Sequence, residues 1–188
     1  MRRLIFVRHG QYDEERTGAL TVLGRKQATS TARALSRLDV ATVWSSTLLR
    51  AKQTADIVAS RQPKAKLRRS RLLCEVIPTM LPVHIELRVS ISATQVRADR
   101  SRADLAFETF FDPKAGAQTE IVVCHGNLIR YFVCKALNIE RRLWTRLDSM
   151  HCGLTEFRVT PEGAVRVVRY NDVGHIPAAL RTESARQR

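Results

Sequence analysis

Short apolar runs alternate along this chain with stretches of helical spacing. LIFV (4–7) is continuously apolar, the pattern of a strand buried on both faces. In LTVLGRKQATSTARALSRL (20–38), Ala28, Ala32, Leu35 and Leu38 recur at helical spacing behind Thr21, a candidate N-cap. ATVWSS (41–46) predicts a second short strand. The next helix carries Leu48, Ala51, Ala55 and Val58 on one face, with a cap expected at Ser46 or Thr47. A short edge strand is expected over 66–69. Residues 78–95 point two ways: Pro78 and Pro82 punctuate a loop, while Val83, Ile85, Leu87, Val89 and Ile91 alternate like a strand. A helix is predicted over 99–111, with Ala103, Phe107 and Phe110 inward. EIVVC (120–124) reads as a third buried strand, and Leu128, Ile129, Phe132, Val133, Ala136 and Leu137 as the stripe of the helix behind it. Two alternating strands, near 152–159 and 164–170, flank the turn PEG (161–163).

Strands interleaved with helices predict a three-layer α/β/α sandwich with a mostly parallel central sheet. The 188 residues suit one domain over 1–177, followed by a polar tail over 178–188 that is expected to fray. No apolar run approaches the ~20 residues of a membrane span. The first residues run straight into a strand, which leaves no room for a signal peptide and predicts a cytoplasmic protein. Cys74, Cys124, Cys134 and Cys152 form no CxxC pair and no metal-ligand spacing, so they read as reduced thiols. Cys124, beside His125, is the one placed for redox chemistry.

Charge widens the choice of partners. The net charge is +14, and RQPKAKLRRSR (61–71) holds six basic residues and no acid. Such a balance suits nucleic acid or an anionic membrane surface. Aromatic residues are only 6% of the chain and are not interleaved with the basic ones. A base-stacking surface needs that interleaving, so nucleic-acid binding is disfavoured as the main role.

Two strands end alike, FVRHG (6–10) and VVCHG (122–126). Parallel strands bring their carboxyl ends to one edge, where doubly wound sheets bind ligands, so His9 and His125 are expected to converge. Arg8 is already at that edge. Arg50 stands one turn into the helix after Ser45 and Ser46. Adjacent strand residues face opposite ways, so Arg8 and His9 share a pocket only if the strand stops there. Guanidinium groups pair with phosphate oxygens, and helix N-termini favour anions. Gly10 and Gly126 are expected to let a ligand approach the backbone. The cluster suits a phosphoryl group, although any one of these residues alone fits a structural role equally well.

The motifs carrying this cluster resemble those of the histidine phosphatase superfamily, also called phosphoglycerate-mutase-like. The resemblance rests on Arg8-His9-Gly10, LTVLGRKQA (20–28), SSTLLRAKQT (45–54), CHGNLIRY (124–131) and NDVGH (171–175). Within the family the chain looks closest to the short serine/threonine-phosphatase branch known from mitochondria. The resemblance implies a phosphoglycerate-mutase-like fold and a phosphatase that needs no metal and no cofactor. His9 would carry a phosphohistidine; Arg8, Arg50, His125 and Gly126 would hold the phosphoryl group; Glu75 would serve the leaving oxygen. Gln11, Tyr12, Asn127 and His151 would line the substrate pocket, with Asn127 capping its helix or orienting His125. His175 reads as structural and His84 as exposed. The segment 76–98 departs most from the family and is the expected rim.

The implied substrate is phosphoserine or phosphothreonine in protein or peptide. The alternatives are a small phosphate ester, a phosphoglycerate mutase, or a basic adaptor without activity. True mutases are longer and carry Ser and Asn soon after Arg-His-Gly, where this chain has Gln11-Tyr12-Asp13. Phosphate or sulfate is the expected occupant of the site. The oligomeric state stays open, a homo-oligomer included.

Overall fold

The computed structural model describes residues 1–81 and 91–183. The strands are β1 (Arg2–Arg8), β2 (Thr42–Ser46), β3 (Lys66–Ser70), β4 (Thr119–Cys124), β5 (Leu154–Val159) and β6 (Val165–Asp172). The helices are α1 (Val22–Leu35), α2 (Leu49–Ala59), α3 (Ala93–Phe110) and α4 (Gly126–Ala136). The strands form one sheet in the order β3-β2-β4-β1-β5-β6. The first four are parallel, and β5 and β6 continue antiparallel. The architecture is the expected sandwich with a mostly parallel sheet.

The continuous apolar runs are explained by cover on both faces. Leu4, Phe6, Val122 and Cys124 pack with Ala103, Phe110, Leu128 and Phe132 of α3 and α4. Ile5, Val7, Ile121 and Val123 pack instead with Ala32, Ala51, Ala55 and Val58 of α1 and α2. The first face is aromatic: Phe6 stacks on Phe111 at 5.7 Å and meets Phe132 and Phe157 edge-on. The second is lined by alanines, so its helices lie close. Glu120 of β4 is buried. It accepts from Trp44 Nε1 at 2.9 Å and from Arg2 Nε at 2.7 Å, which joins β1, β2 and β4.

Several local expectations change. Thr21 caps α1 by accepting from Gly24 N, but the helix stops at Leu35 and leaves Leu38 outside it. Neither Ser46 nor Thr47 is the N-cap of α2. That position is Leu48, whose N–H donates to Ser46 Oγ at 3.2 Å. Helix α3 starts at Ala93, six residues before the expected 99, because Ser92 caps it; of residues 93–98 only Val96 is buried. Leu137 lies just beyond α4 and is exposed. The strand-like alternation from Val83 to Val89, with Pro82 and His84, lies outside the described residues.

The tail is held to residue 183 rather than frayed from 178. Ala178–Leu180 form a 3-10 turn, His151 N donates to Thr182 O at 2.9 Å, and Met150 bridges to Glu183. Among the described residues no helix is long and apolar enough to cross a membrane.

Gly10 serves packing rather than ligand access, which corrects the expectation. A Cβ on Gly10 would lie 2.6 Å from Gly24 O, and one on Gly24 1.9 Å from Gln11 O. The loop after β1 therefore rests directly on the first turn of α1. Gly24→Ala should cost about 2–3 kcal/mol by overpacking, read as a lower urea midpoint with an unchanged slope.

Candidate active site

The carboxyl ends of β1 and β4 lie side by side, with Arg8 paired to Cys124 in register. His9 and His125, the residues that follow, have ring centroids 5.1 Å apart. His9 Nδ1 lies 2.8 Å from Gly10 O, so it carries the proton and donates to that carbonyl. Nε2 is left with its lone pair, which accepts from Arg50 Nε at 3.1 Å. Arg50 reaches it from the first turn of α2. Thr54, one turn further on, accepts from Gly10 N at 3.1 Å and donates to Arg50 O at 2.8 Å. The turn after β1 is thereby tied to the helix that presents Arg50. The Tyr12 ring meets His9 edge-on at 5.1 Å, and the Arg50 guanidinium lies 4.4 Å above the Tyr12 centroid.

Arg8 is 5% exposed and donates to Ser149 O. Its other terminal nitrogen lies 3.4 Å from His151 Nε2. His151 is held by Thr182, whose hydroxyl lies 2.9 Å from Nδ1. Buried Gln27 donates to Thr182 Oγ1 at 2.8 Å and accepts from Gln11 N at 2.8 Å. The Gln11 side chain is itself bonded to Thr21 Oγ1 at 2.8 Å. A Cβ on Gly126 would meet Ser149 Oγ at 3.2 Å and Arg8 Nε at 3.4 Å, so this glycine too gives room to protein. His125 Nε2 lies 2.8 Å from Ser46 Oγ, and its Nδ1 is buried without a partner among the described residues.

Glu75 sits on the loop between β3 and α3. Its Oε1 accepts from Val76 N at 3.2 Å. Burial pushes its carboxyl above the ordinary range, against the opposing pull of Arg8. The loop is clamped from α3: Arg102 donates to the carbonyls of Cys74 and Glu75, each at 2.8 Å, and Asp99 accepts from Ile77 N at 2.8 Å. From α4, Asn127 Nδ2 donates to Val76 O at 2.9 Å, and its oxygen accepts from Arg130. Asn127 thus neither caps α4 nor orients His125; it fastens the Glu75 loop. Cys74 touches Thr47 Oγ1 at 3.2 Å. Those hydroxyl contacts hold its thiol below the ordinary value although burial opposes them. All four cysteines are free thiols.

Arg8, His9, Arg50 and His125 therefore converge, with Glu75, Tyr12 and His151 around them. Gly126, Asn127 and Gln11 lie at the edges with structural contacts. His175 Nε2 meets Thr31 Oγ1 at 2.9 Å, away from the cluster. Asp99, Arg102, Gln27, Ser149 and Thr182 were not expected. Gln27 lies within LTVLGRKQA, but the segments that these residues fasten are distant in sequence, and nothing in their local spacing signals those contacts. Chemically, the cluster offers an unprotonated nitrogen aimed at a pocket of guanidinium groups, with an acid close by. That arrangement fits in-line transfer of a phosphoryl group.

Comparison with known proteins agrees with this chemistry. A family model described as histidine phosphatase superfamily (branch 1) matches residues 4–77 and 91–173. The chain is 32% identical over 183 residues to a Caenorhabditis elegans protein named serine/threonine-protein phosphatase Pgam5, mitochondrial. The match covers 94% of this chain but 64% of that protein, so the chain spans under two thirds of its relative. A crystal structure of a phosphoglycerate mutase from Plasmodium falciparum matches at 31% identity and TM-score 0.65, covering 94% of each chain. A phosphoserine phosphatase structure from Entamoeba histolytica matches in fold, at 20% identity and TM-score 0.74, over 94% of this chain and 100% of that one. Drosophila relatives share the mitochondrial name, which overturns the expectation of a cytoplasmic location.

Burial, reinforced by Arg8 and Arg50, holds His9, His125 and His151 uncharged, with His151 down to about 3. In the unfolded chain these imidazoles titrate near ~6.5. Below that pH the unfolded state takes up protons that the native state refuses, so stability is full above it and falls as pH drops. Between about pH 7 and 5.5 each of the three should cost roughly 1 kcal/mol, read by urea unfolding in phosphate-free buffer. His151→Asn should remove that residue's share of the change, roughly 1 kcal/mol.

Proposed function

Since the chain belongs to the histidine phosphatase superfamily (branch 1), we propose that it hydrolyses phosphomonoesters through a phosphohistidine on His9. The observation that carries this reading is the pinned His9 ring: Nδ1–H on Gly10 O, Nε2 free of a proton and facing Arg50. Substrate oxygens displace His9 as the acceptor of Arg50, and Arg50, Arg8 and His125 then hold the phosphoryl group. The Nε2 lone pair forms the P–N bond as the ester P–O bond breaks. Glu75, whose burial favours the acid form, gives its proton to the leaving alkoxide. The resulting carboxylate then takes a proton from water, whose oxygen attacks phosphorus. The P–N bond breaks, inorganic phosphate leaves, and neutral His9 and protonated Glu75 are restored. The positive charge around the transferring group supplies the main stabilisation.

The substrate we infer is phosphoserine or phosphothreonine within a protein or peptide. The curated relatives named as serine/threonine-protein phosphatases support it, and so does a net charge of +14, which draws acidic partners. A small phosphate ester is the second reading, favoured by the phosphoglycerate mutase at 31% identity. A panel of phosphopeptides and phosphorylated metabolites decides between them by kcat/KM.

His9→Ala should abolish turnover of every panel member and of para-nitrophenyl phosphate. Glu75→Gln should lower kcat by about 100-fold for poor leaving groups. Wild-type activity should fall as pH rises through the raised carboxyl pKa, because the acid form is required, and Glu75→Gln should lose that limb of the profile. Activity retained by His9→Ala would overturn the mechanism.

A further inference from the structure

The outer edge of β3 has no role in the reaction, yet its chemistry is distinctive. We propose that it is a docking strand for an extended acidic segment of the phosphorylated partner; the proposal rests on the phosphatase reading above and names how a protein substrate is held. Among the described residues, strand β3 ends the six-stranded sheet and pairs with β2 alone. Lys66 N donates to Ala41 O, on the β2 side. The main-chain N–H and C=O of one residue in a parallel strand point to the same side, and the next residue points oppositely. Leu67 and Arg69 therefore turn their main-chain groups outward, and among the described residues nothing pairs with them. Lys66, Leu67, Arg68 and Arg69 are all exposed.

An open strand edge is a template for another strand. Charge decides which strand it accepts. Residues 61–71 carry six basic side chains and no acid. The one ion pair formed by this strand among the described residues is Arg69 with Asp56 at 3.0 Å, both about half exposed. A second copy would set Lys and Arg against Lys and Arg, which is destabilising in a strand pair. A segment rich in Asp and Glu places opposite charges there, and it uses the outward Leu67 and Arg69 main chain as well. Nucleic acid or an anionic bilayer would use the charge but not the backbone.

The edge also points at the site. Ser70 is in register with Ser46, whose hydroxyl meets His125. The chain then turns through Arg71–Leu73 to Cys74 and Glu75. A strand added outside β3 ends four strand spacings, roughly 19 Å, from the end of β1 that carries His9. A phosphorylated residue about six positions beyond it can span that gap at ~3.3 Å per residue.

The test uses a fluorescein-labelled, unphosphorylated peptide of alternating Glu and Val, read by anisotropy, and its phosphoserine-extended form as substrate. Leu67→Pro keeps the charge but removes the outward N–H, a change that edge strands tolerate. Lys66→Glu with Arg68→Glu keeps the backbone but reverses the charge. Wild type should bind the peptide in a salt-sensitive way, and each variant should weaken binding about tenfold and raise KM for the phosphopeptide. Turnover of para-nitrophenyl phosphate should stay unchanged. Peptide binding that survives Leu67→Pro, tighter binding of single-stranded DNA or phosphatidylserine vesicles than of the peptide, or conversion of a dimer to a monomer by Leu67→Pro in sedimentation would each overturn the proposal. Wild type that binds the peptide but hydrolyses neither substrate would overturn the phosphatase reading instead.

Discussion

The parallel register of β1 against β4 is the constraint on which the site depends. It sets Arg8 opposite Cys124 and so delivers His9 and His125 to the same edge. What holds the register is a difference between the two faces. Phe6 belongs among Phe111, Phe132 and Phe157, whereas Ile5 and Val7 belong against the alanines of α1 and α2. A slip of one residue would put Phe6 against the alanine face and leave voids in the aromatic one. The same pairing that fills the core therefore positions the histidines.

Around that edge the chain gathers positive charge, with the Glu75 carboxyl interacting with Arg8 and Arg130. Arg8, Arg50 and Arg130 surround a region where burial keeps the imidazoles uncharged, and Glu75 is the acid among them. Burial pulls even Arg8 down to about 10. Charges attract more strongly where water is excluded, so an arriving phosphoryl dianion gains more here than it would on the surface. In the proposed reaction this field is already in place before the substrate binds, and Arg50 alone changes its partner.

Rigidity comes from contacts between the motifs and distant segments. Asp99 and Arg102 of α3, with Asn127 of α4, hold the loop that carries Glu75. Gln27 and Thr182, 155 positions apart in sequence, join Gln11 to His151. These contacts explain why the C-terminal segment is ordered through residue 183. A fraying tail would release His151 from beside Arg8.

The sequence alone determined the strand–helix alternation, the two His-Gly strand ends, the Thr21 cap and the family. Each of these is written in periodicity or in a short motif, where local spacing dictates the physics. It misplaced the start of α3, whose first turns bury a single apolar side chain, Val96, and it read Gly10 and Gly126 as room for a ligand. Only the tertiary structure decided that Gly10 packs on Gly24, that Asn127 fastens the Glu75 loop, and that Thr182 orients His151. The reason is physical: a close backbone approach or a buried hydrogen bond depends on which distant segment arrives to share it. That is settled when the two faces of the sheet are packed, not by any residue's neighbours in the chain.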